Sequence, residues 1–263
     1  MEPSLSERDQ SEIQRSAAEA SKAVVRPIPR AELERYLNAR ADTPFSLEYA
    51  FYLLGDMRGK TVLDLGCGQG ENTVALVARG ARVRALDISP ELVEIAARRL
   101  REQGHAQATE AEFAVGSAYE TGLPPESVDV VFCMSLIHHL DIGRVRDEMW
   151  RILRPGGVVI LKEPVRFSKL YARLRGLLPS HEDVSDYEHP LTREELALMT
   201  ERFQVEGMRF FRLPFVPLLS RLLPATTATA WKTSGWMLRT LPALQRYATS
   251  VVVRLRKAAE KKH

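Results

Sequence analysis

Four strand-forming residues, Val62-Leu63-Asp64-Leu65, run without a spacer into Gly66-Cys67-Gly68-Gln69-Gly70, where glycine stands at every second position. Such a turn presses bare backbone against a ligand, because no side chain intervenes. A second strand-like run, Arg82-Val83-Arg84-Ala85-Leu86, ends on Asp87. In a nucleotide-type fold an acid at that point grips ribose hydroxyls. Together the two runs call for adjacent strands with a ligand across their C-terminal ends. A nicotinamide dinucleotide would ask for Gly-x-Gly-x-x-Gly, and here the third glycine comes one position early.

A chain of 263 residues, 45% hydrophobic and 27% charged, has material for one substantial core, so one large domain with appendages is expected. Cys67 and Cys133 fit neither a disulfide framework nor a zinc spacing and read as free thiols of a reducing compartment, with no metal site expected. The start, Met1 to Asp9, lacks the basic and then apolar regions of a signal peptide, and no uncharged apolar run reaches membrane-spanning length. A cytoplasmic location follows as the expectation. The formal charge of +3 is unevenly spread: from Arg212 to His263 ten Lys or Arg face a single acid, Glu260. That asymmetry points to an anionic partner for the C-terminal end.

Residues 1–28 read as a flexible or helical arm closed by Pro27 and Pro29, and 29–59 as cap helices, with Leu33, Tyr36, Leu37 and then Leu47, Ala50, Phe51, Leu54 at three- and four-residue spacing. Strand and helix signals then alternate through 60–164. Strands are expected over 61–65, 83–87, 112–115, 128–133 and 158–162, the last after a turn at Arg154-Pro155-Gly156-Gly157. Ser89-Pro90-Glu91 is a strong helix start: serine caps free amides, proline is pre-shaped for the first turn, and glutamate suits the positive dipole end. Such alternation predicts a parallel, doubly wound sheet with ligands at the strands' C-terminal edge. Beyond it, 165–263 reads as the substrate side. This part holds a basic amphipathic helix at 167–178, an acidic loop at 180–190, a capping box at Thr192 and Glu195, strands at 205–212 and 249–256, and an apolar, basic insert at 213–246.

These residues carry a resemblance. Asp64-Leu65-Gly66-Cys67-Gly68-Gln69-Gly70, Asp87, Gly116-Ser117-Ala118, Val128-Asp129-Val130-Val131-Phe132 leading to His138-His139, and Leu153-Arg154-Pro155-Gly156-Gly157 resemble class I S-adenosylmethionine-dependent methyltransferases of the ubiquinone/menaquinone-biosynthesis-like, type 11 branch. The resemblance implies an α/β fold: a Rossmann-like seven-stranded sheet with an antiparallel last strand, an N-terminal helical cap and a helical insert before the last strand. It also implies S-adenosylmethionine as cofactor. Gly66, Cys67, Gly68 and Gly70 would then form the loop under the methionine part, with Asp64 attracting its ammonium. Asp87 would hold both ribose hydroxyls beside Ile88, Ser117 and Ala118 would lie at the adenine, and Met134 near the methionine. Serine stands at Ser117 where the family often has aspartate.

A sulfonium donor brings its own leaving group, so methyl transfer asks mainly for alignment and a deprotonated acceptor. For a hydroxyl acceptor, histidine has the right pKa range for a base. His138 and His139 stand at the strand-four edge, and His189, with His181 and Tyr187, lies on a loop able to close over it. The resemblance supplies a structural alternative, since a His-His pair is frequent there whatever the acceptor. The expected acceptor is a small molecule, with lipidic or isoprenoid and quinone-like compounds first. Residues 213–263, with Trp231, Trp236 and a leucine-rich run, read as a peripheral contact with anionic membrane, or as a face packed on the sheet or on a second subunit in a homodimer. Nucleic acid is disfavoured, because no aromatics interleave with the terminal basic residues and no RNA-binding motif occurs. RNA methyl transfer, and a non-catalytic regulatory or assembly protein that keeps the cofactor fold, are the alternative functions.

Overall fold

A computed structural model of the chain describes residues 7–104, 110–168 and 189–258. His181, Tyr187 and most of the helix and loop expected over 167–190 lie outside the described residues. Seven strands form one sheet: β1 (Thr61–Leu65), β2 (Arg82–Asp87), β3 (Ala111–Val115), β4 (Val128–Met134), β5 (Leu153–Pro164), β6 (Gln204–Phe211) and β7 (Ser250–Arg256), in the order β3-β2-β1-β4-β5-β7-β6. The first five are parallel, and β7 runs antiparallel to both β5 and β6. Order reverses between β1 and β4, and the crevice beyond the C-terminal ends at such a switch is where ligands bind in open α/β sheets.

Alternation along the central strands sends side chains to two cores. Val62, Val83, Ala85, Phe132 and Ile160 pack with the buried faces of α2 (Arg30–Leu37), α3 (Ser46–Leu54), α4 (Glu71–Ala78) and α5 (Pro90–Glu102). Leu63, Leu65, Val131, Cys133 and Leu161 face α6 (Ile142–Ile152) and α7 (Arg193–Thr200) instead. Each fully buried large apolar side chain contributes about 1.5–3 kcal/mol. The Phe51 and Phe132 rings, 5.0 Å apart, tie the cap helices to the middle of the sheet.

Local signals work as their chemistry requires. Ser89 accepts a hydrogen bond from the Leu92 amide and starts α5, and Leu92, Ala96 and Leu100 form its buried face. Thr192 and Glu195 complete a reciprocal capping box on α7. Arg154-Pro155-Gly156-Gly157 departs from the expectation of a turn, for these residues belong to β5, which begins at Leu153. A register shift between Val128 and Val130 absorbs the irregularity, and Gly156 and Gly157 are paired with Lys257 through backbone bonds of 3.0 and 2.9 Å.

The N-terminal arm is helical in α1 (Glu7–Lys22), which packs against α5. Buried Arg99 fastens the following stretch, donating to the carbonyls of Arg26 and Gln69 and pairing with Glu71 at 2.8 Å. The insert before β7 folds as α8 (Phe215–Leu222) and α9 (Thr227–Thr240) with short 3-10 turns. Its inner face, with Leu213, Val216, Ala230 and Leu238, is buried.

Candidate functional site

Leu65 delivers the chain into the glycine turn, where the amides of Gly66 and Cys67 both donate to the Leu86 carbonyl, at 2.8 and 3.0 Å. The turn is thereby locked to the end of β2. Gly70 sits at the N-cap of α4 with φ of 86°, and a Cβ there would lie 2.7 Å from the Ala96 Cα. Gly68 is different: nothing lies within 4 Å of where its Cβ would be. The backbone at Gly68 forms an open cradle toward a cavity of about 260 Å³.

Gly66, Gly68, Asp87, Ile88, Ser117, Ala118 and Met134 all line that cavity. Asp87 Oδ2 accepts from the Gly68 amide at 2.9 Å and Oδ1 from the Ser89 amide at 3.0 Å, so the carboxylate joins the glycine turn to the start of α5. Asp64, Cys67 and Gly70 stand behind the wall. Asp64 is 1% exposed, its Oδ2 accepting from the Thr73 hydroxyl at 2.6 Å. Burial, reinforced by the charges of Asp87 and Glu71, pushes its carboxyl up to about 7, with the Thr73 bond opposing. Burial also raises both thiols, Cys67 and Cys133, so neither carries thiolate at neutral pH.

Past Met134 the chain turns sharply. Ser135 has φ of 58°, and a 3-10 turn, Ile137–His139, follows. Glu163, 1% exposed near the end of β5, organises this turn: Oε1 accepts from the amides of Leu136 and Ile137 at 2.9 and 3.0 Å, and Oε2 accepts from His138 Nδ1 at 2.7 Å. A carboxylate on Nδ1 fixes the tautomer that presents the lone pair at Nε2. His138 lines a second cavity, of about 240 Å³, that shares the wall residue Ser135 with the first. His139 instead lines the first cavity, its ring centroid 3.9 Å from that of His138. His189 is apart from both. It lines a third cavity, of about 270 Å³, together with His138 and Glu195, Nε2 3.6 Å from a Glu195 oxygen.

The methyltransferase-domain family matches residues 63–161, the stretch that builds this turn and both strand edges. Over 179 residues the chain is 30% identical to the malonyl-[acyl-carrier protein] O-methyltransferase of Serratia marcescens, spanning 65% of each protein. Over 170 residues it is 30% identical to the ubiquinone biosynthesis O-methyltransferase of Thiobacillus denitrificans, covering 62% of this chain and 71% of that one. The chain belongs to the class I S-adenosylmethionine-dependent methyltransferases. It spans less than two thirds of the length of the first curated relatives it matches. The fold is also that of the geranyl diphosphate C-methyltransferase of Streptomyces coelicolor A3(2), with a TM-score of 0.61 at 17% identity over 97% of this chain and 99% of that one.

Sequence reasoning did not anticipate several residues that line these cavities. Ser16 of α1, Leu136 and Leu140 line the first cavity, and Ser46, Lys162, Arg212, Trp231 and Ser250 the second. The bond of Glu163 to His138 is another feature it did not anticipate, because that bond depends on packing between β5 and the turn after β4. The one signal available was an acid close behind the apolar run Val158-Val159-Ile160-Leu161, which is costly to bury without partners.

Proposed function

We propose that the protein transfers the methyl group of S-adenosylmethionine to the hydroxyl of a small-molecule acceptor, with His138 as base and Glu163 as the residue that positions it. The observation that carries this reading is a pair of cavities that share Ser135 as a wall residue, one walled by Gly66, Gly68 and Asp87, the other by His138 on its carboxylate. The cofactor suits the first: Gly68 leaves an open cradle, Asp87 presents a carboxylate, and Ile88, Leu92, Ala118 and Leu140 offer apolar surface to a purine. Gly66 and Gly68 hold the methionine part with Met134 beside it, Asp87 the ribose, and Ser117 and Ala118 the adenine. Asp64 acts from behind on the ammonium, while Cys67 and Gly70 shape the turn.

When bound, S-adenosylmethionine supplies an electrophilic methyl group on a sulfonium. The chain itself aligns the acceptor and takes up its proton at His138 Nε2, and Glu163 stabilises the imidazolium that results. Among the three histidines, support falls on His138, because His139 faces the cofactor cavity and His189 lines neither cavity. The curated relatives named above act on malonyl-[acyl-carrier protein] and in ubiquinone biosynthesis, which supports a lipid-like acceptor here.

A tritiated-methyl assay over fractionated extracts of the source organism, followed by mass spectrometry of the labelled product, tests the reading. With that acceptor, His138→Ala lowers kcat by about 10²–10⁴ while affinity for S-adenosylhomocysteine is retained. Glu163→Gln lowers kcat less and displaces the acidic limb of the pH-rate profile. Unchanged kcat in both variants removes His138 as base. Tight binding of both cofactor forms with no transfer to any fraction favours the regulatory alternative.

The insert also supports peripheral attachment to an anionic bilayer. Leu222, Leu223, Trp236 and Leu241 are exposed on it while its other face is buried, and Lys232, Arg239 and Arg246 add positive charge close by. No described helix is long and apolar enough to cross a membrane.

A further inference from the structure

With the methyl donor in the first cavity and the acceptor in the second, the oxygen under attack stands beside the residue that walls both, Ser135. Two bonds to one partner hold that residue in place. Its amide donates to the Lys162 carbonyl at 2.7 Å, continuing the pairing in which Met134 stands opposite Lys162, and its hydroxyl accepts from Lys162 Nζ at 2.6 Å. Ser135 has φ of 58°, a conformation that residues other than glycine rarely adopt. Strain of this kind persists where the surroundings enforce it and gathers at ligand sites.

Lys162 is short of negative charge. Ser135 is the one hydrogen-bond partner of its ammonium among the described residues, and no carboxylate of those residues lines the cavity. Glu163, the next residue of β5, spends its oxygens on the amides of Leu136 and Ile137 and on His138. Burial holds the Lys162 ammonium below its ordinary pKa; Glu163 opposes this, and the Arg212 guanidinium adds to it. Besides Lys162, the titratable or charged side chains in the wall are His138 and Arg212. The Ser135 side chain is exposed, and after accepting from Lys162 its hydroxyl still has its own proton to give. An ammonium and a hydroxyl thus stand as two donors at the wall common to both cavities.

We propose that Lys162 and Ser135 stabilise the acceptor oxygen as it loses its proton, the ammonium and the hydroxyl donating to the oxyanion while His138 takes the proton. The oxygen then bonds the methyl carbon, the bond from that carbon to sulfur breaks with its electron pair left on sulfur, and Lys162 keeps its own proton throughout. The inference rests on the methyl-transfer reading and adds a second catalytic group to it. A neutral hydroxyl gains little from a half-buried ammonium, whereas the charge that develops on its oxygen gains much more there than in water. The contact therefore strengthens on the way to the transition state and raises kcat more than affinity.

An absorbance titration of 4-nitrophenol on the full chain saturated with S-adenosylhomocysteine tests this, because phenol and phenolate absorb at different wavelengths. The bound probe is expected to show a ratio of phenolate to phenol about tenfold above that of the free probe at the same pH. Lys162→Met removes most of that excess while still binding S-adenosylhomocysteine, which reports a folded chain, and Lys162→Arg, which keeps the charge, restores part of it. Ser135→Gly accepts the positive φ and removes only the hydroxyl, so its excess is intermediate. With the acceptor found by the tritiated-methyl assay, Lys162→Met lowers kcat about 10²–10³-fold at nearly constant KM. No excess in the unsubstituted chain, no binding of the probe, an excess undiminished in Lys162→Met, or a raised KM with kcat unchanged overturns the inference alone. Failure to bind S-adenosylhomocysteine, or to methylate any fraction, overturns the methyl-transfer reading beneath it.

Discussion

Asp64 and Asp87 are both carboxylates at strand ends, yet their surroundings set them to opposite tasks. Asp87 reaches the cavity wall and accepts two backbone amides. Asp64 is sealed against Thr73, with its carboxyl pushed up to about 7 by burial. An unfolded chain releases the same proton near pH 4, so between those limits the folded state holds more protons and stability falls as pH rises. The fall amounts to a few kcal/mol on the way to pH 8. Asp64→Asn keeps an acceptor for Thr73 and removes this cost. Thermal melts of the unliganded proteins should therefore coincide near pH 4 and favour the variant at pH 8, while the variant binds S-adenosylhomocysteine more weakly. Coincident melts at both values would mean that Asp64 ionises freely. The identity of both acids was legible from sequence; which of them touches solvent was not, because that depends on how closely α4 lies over β1.

At the scale of elements, the glycine turn shows how one run of sequence answers several demands at once. Gly70 lets α4 begin against α5, where a Cβ would be 2.7 Å from backbone, whereas Gly68 faces open space. Gly70→Ala is expected to cost at least about 2 kcal/mol in urea unfolding, from overpacking and a positive φ together. Gly68→Ala costs only about 1–2 kcal/mol for its φ but weakens S-adenosylhomocysteine, because its methyl group enters the cradle. Equal stability losses with equal affinities would merge the two roles. Helix starts at Ser89 and Thr192 were readable because a cap is a contact among neighbouring residues. Arg154-Pro155-Gly156-Gly157 was misread because its turn-forming composition serves a strand whose partners, near Val128 and Lys257, are distant in sequence.

For the whole molecule, the basic C-terminal region does not form one uniform surface. Arg254 and Arg256 pair with Glu206 across the sheet edge, Lys257 is buried on the carbonyls of Trp150 and Leu153, and Arg212 lines the second cavity. Among the described residues, what is left for a bilayer is the outer face of the insert. Co-sedimentation should recover the protein with vesicles containing phosphatidylglycerol and not with phosphatidylcholine alone, and Leu222→Asp with Trp236→Asp should abolish recovery. Equal recovery from both vesicles, or none, ends that proposal, and a concentration-dependent dimer in size-exclusion chromatography would assign the face to a second copy. The sequence by itself determined the alternating strands and helices, the glycine turn and its two acids, since each is written in the spacing and chemistry of near neighbours. Only the tertiary structure decided that Glu163 holds His138 and that Lys162, Arg212, Ser250 and Trp231 share one cavity. Those residues come from β5, β7, the end of β6 and the insert, and no local pattern records a meeting that exists only once the sheet order is assembled.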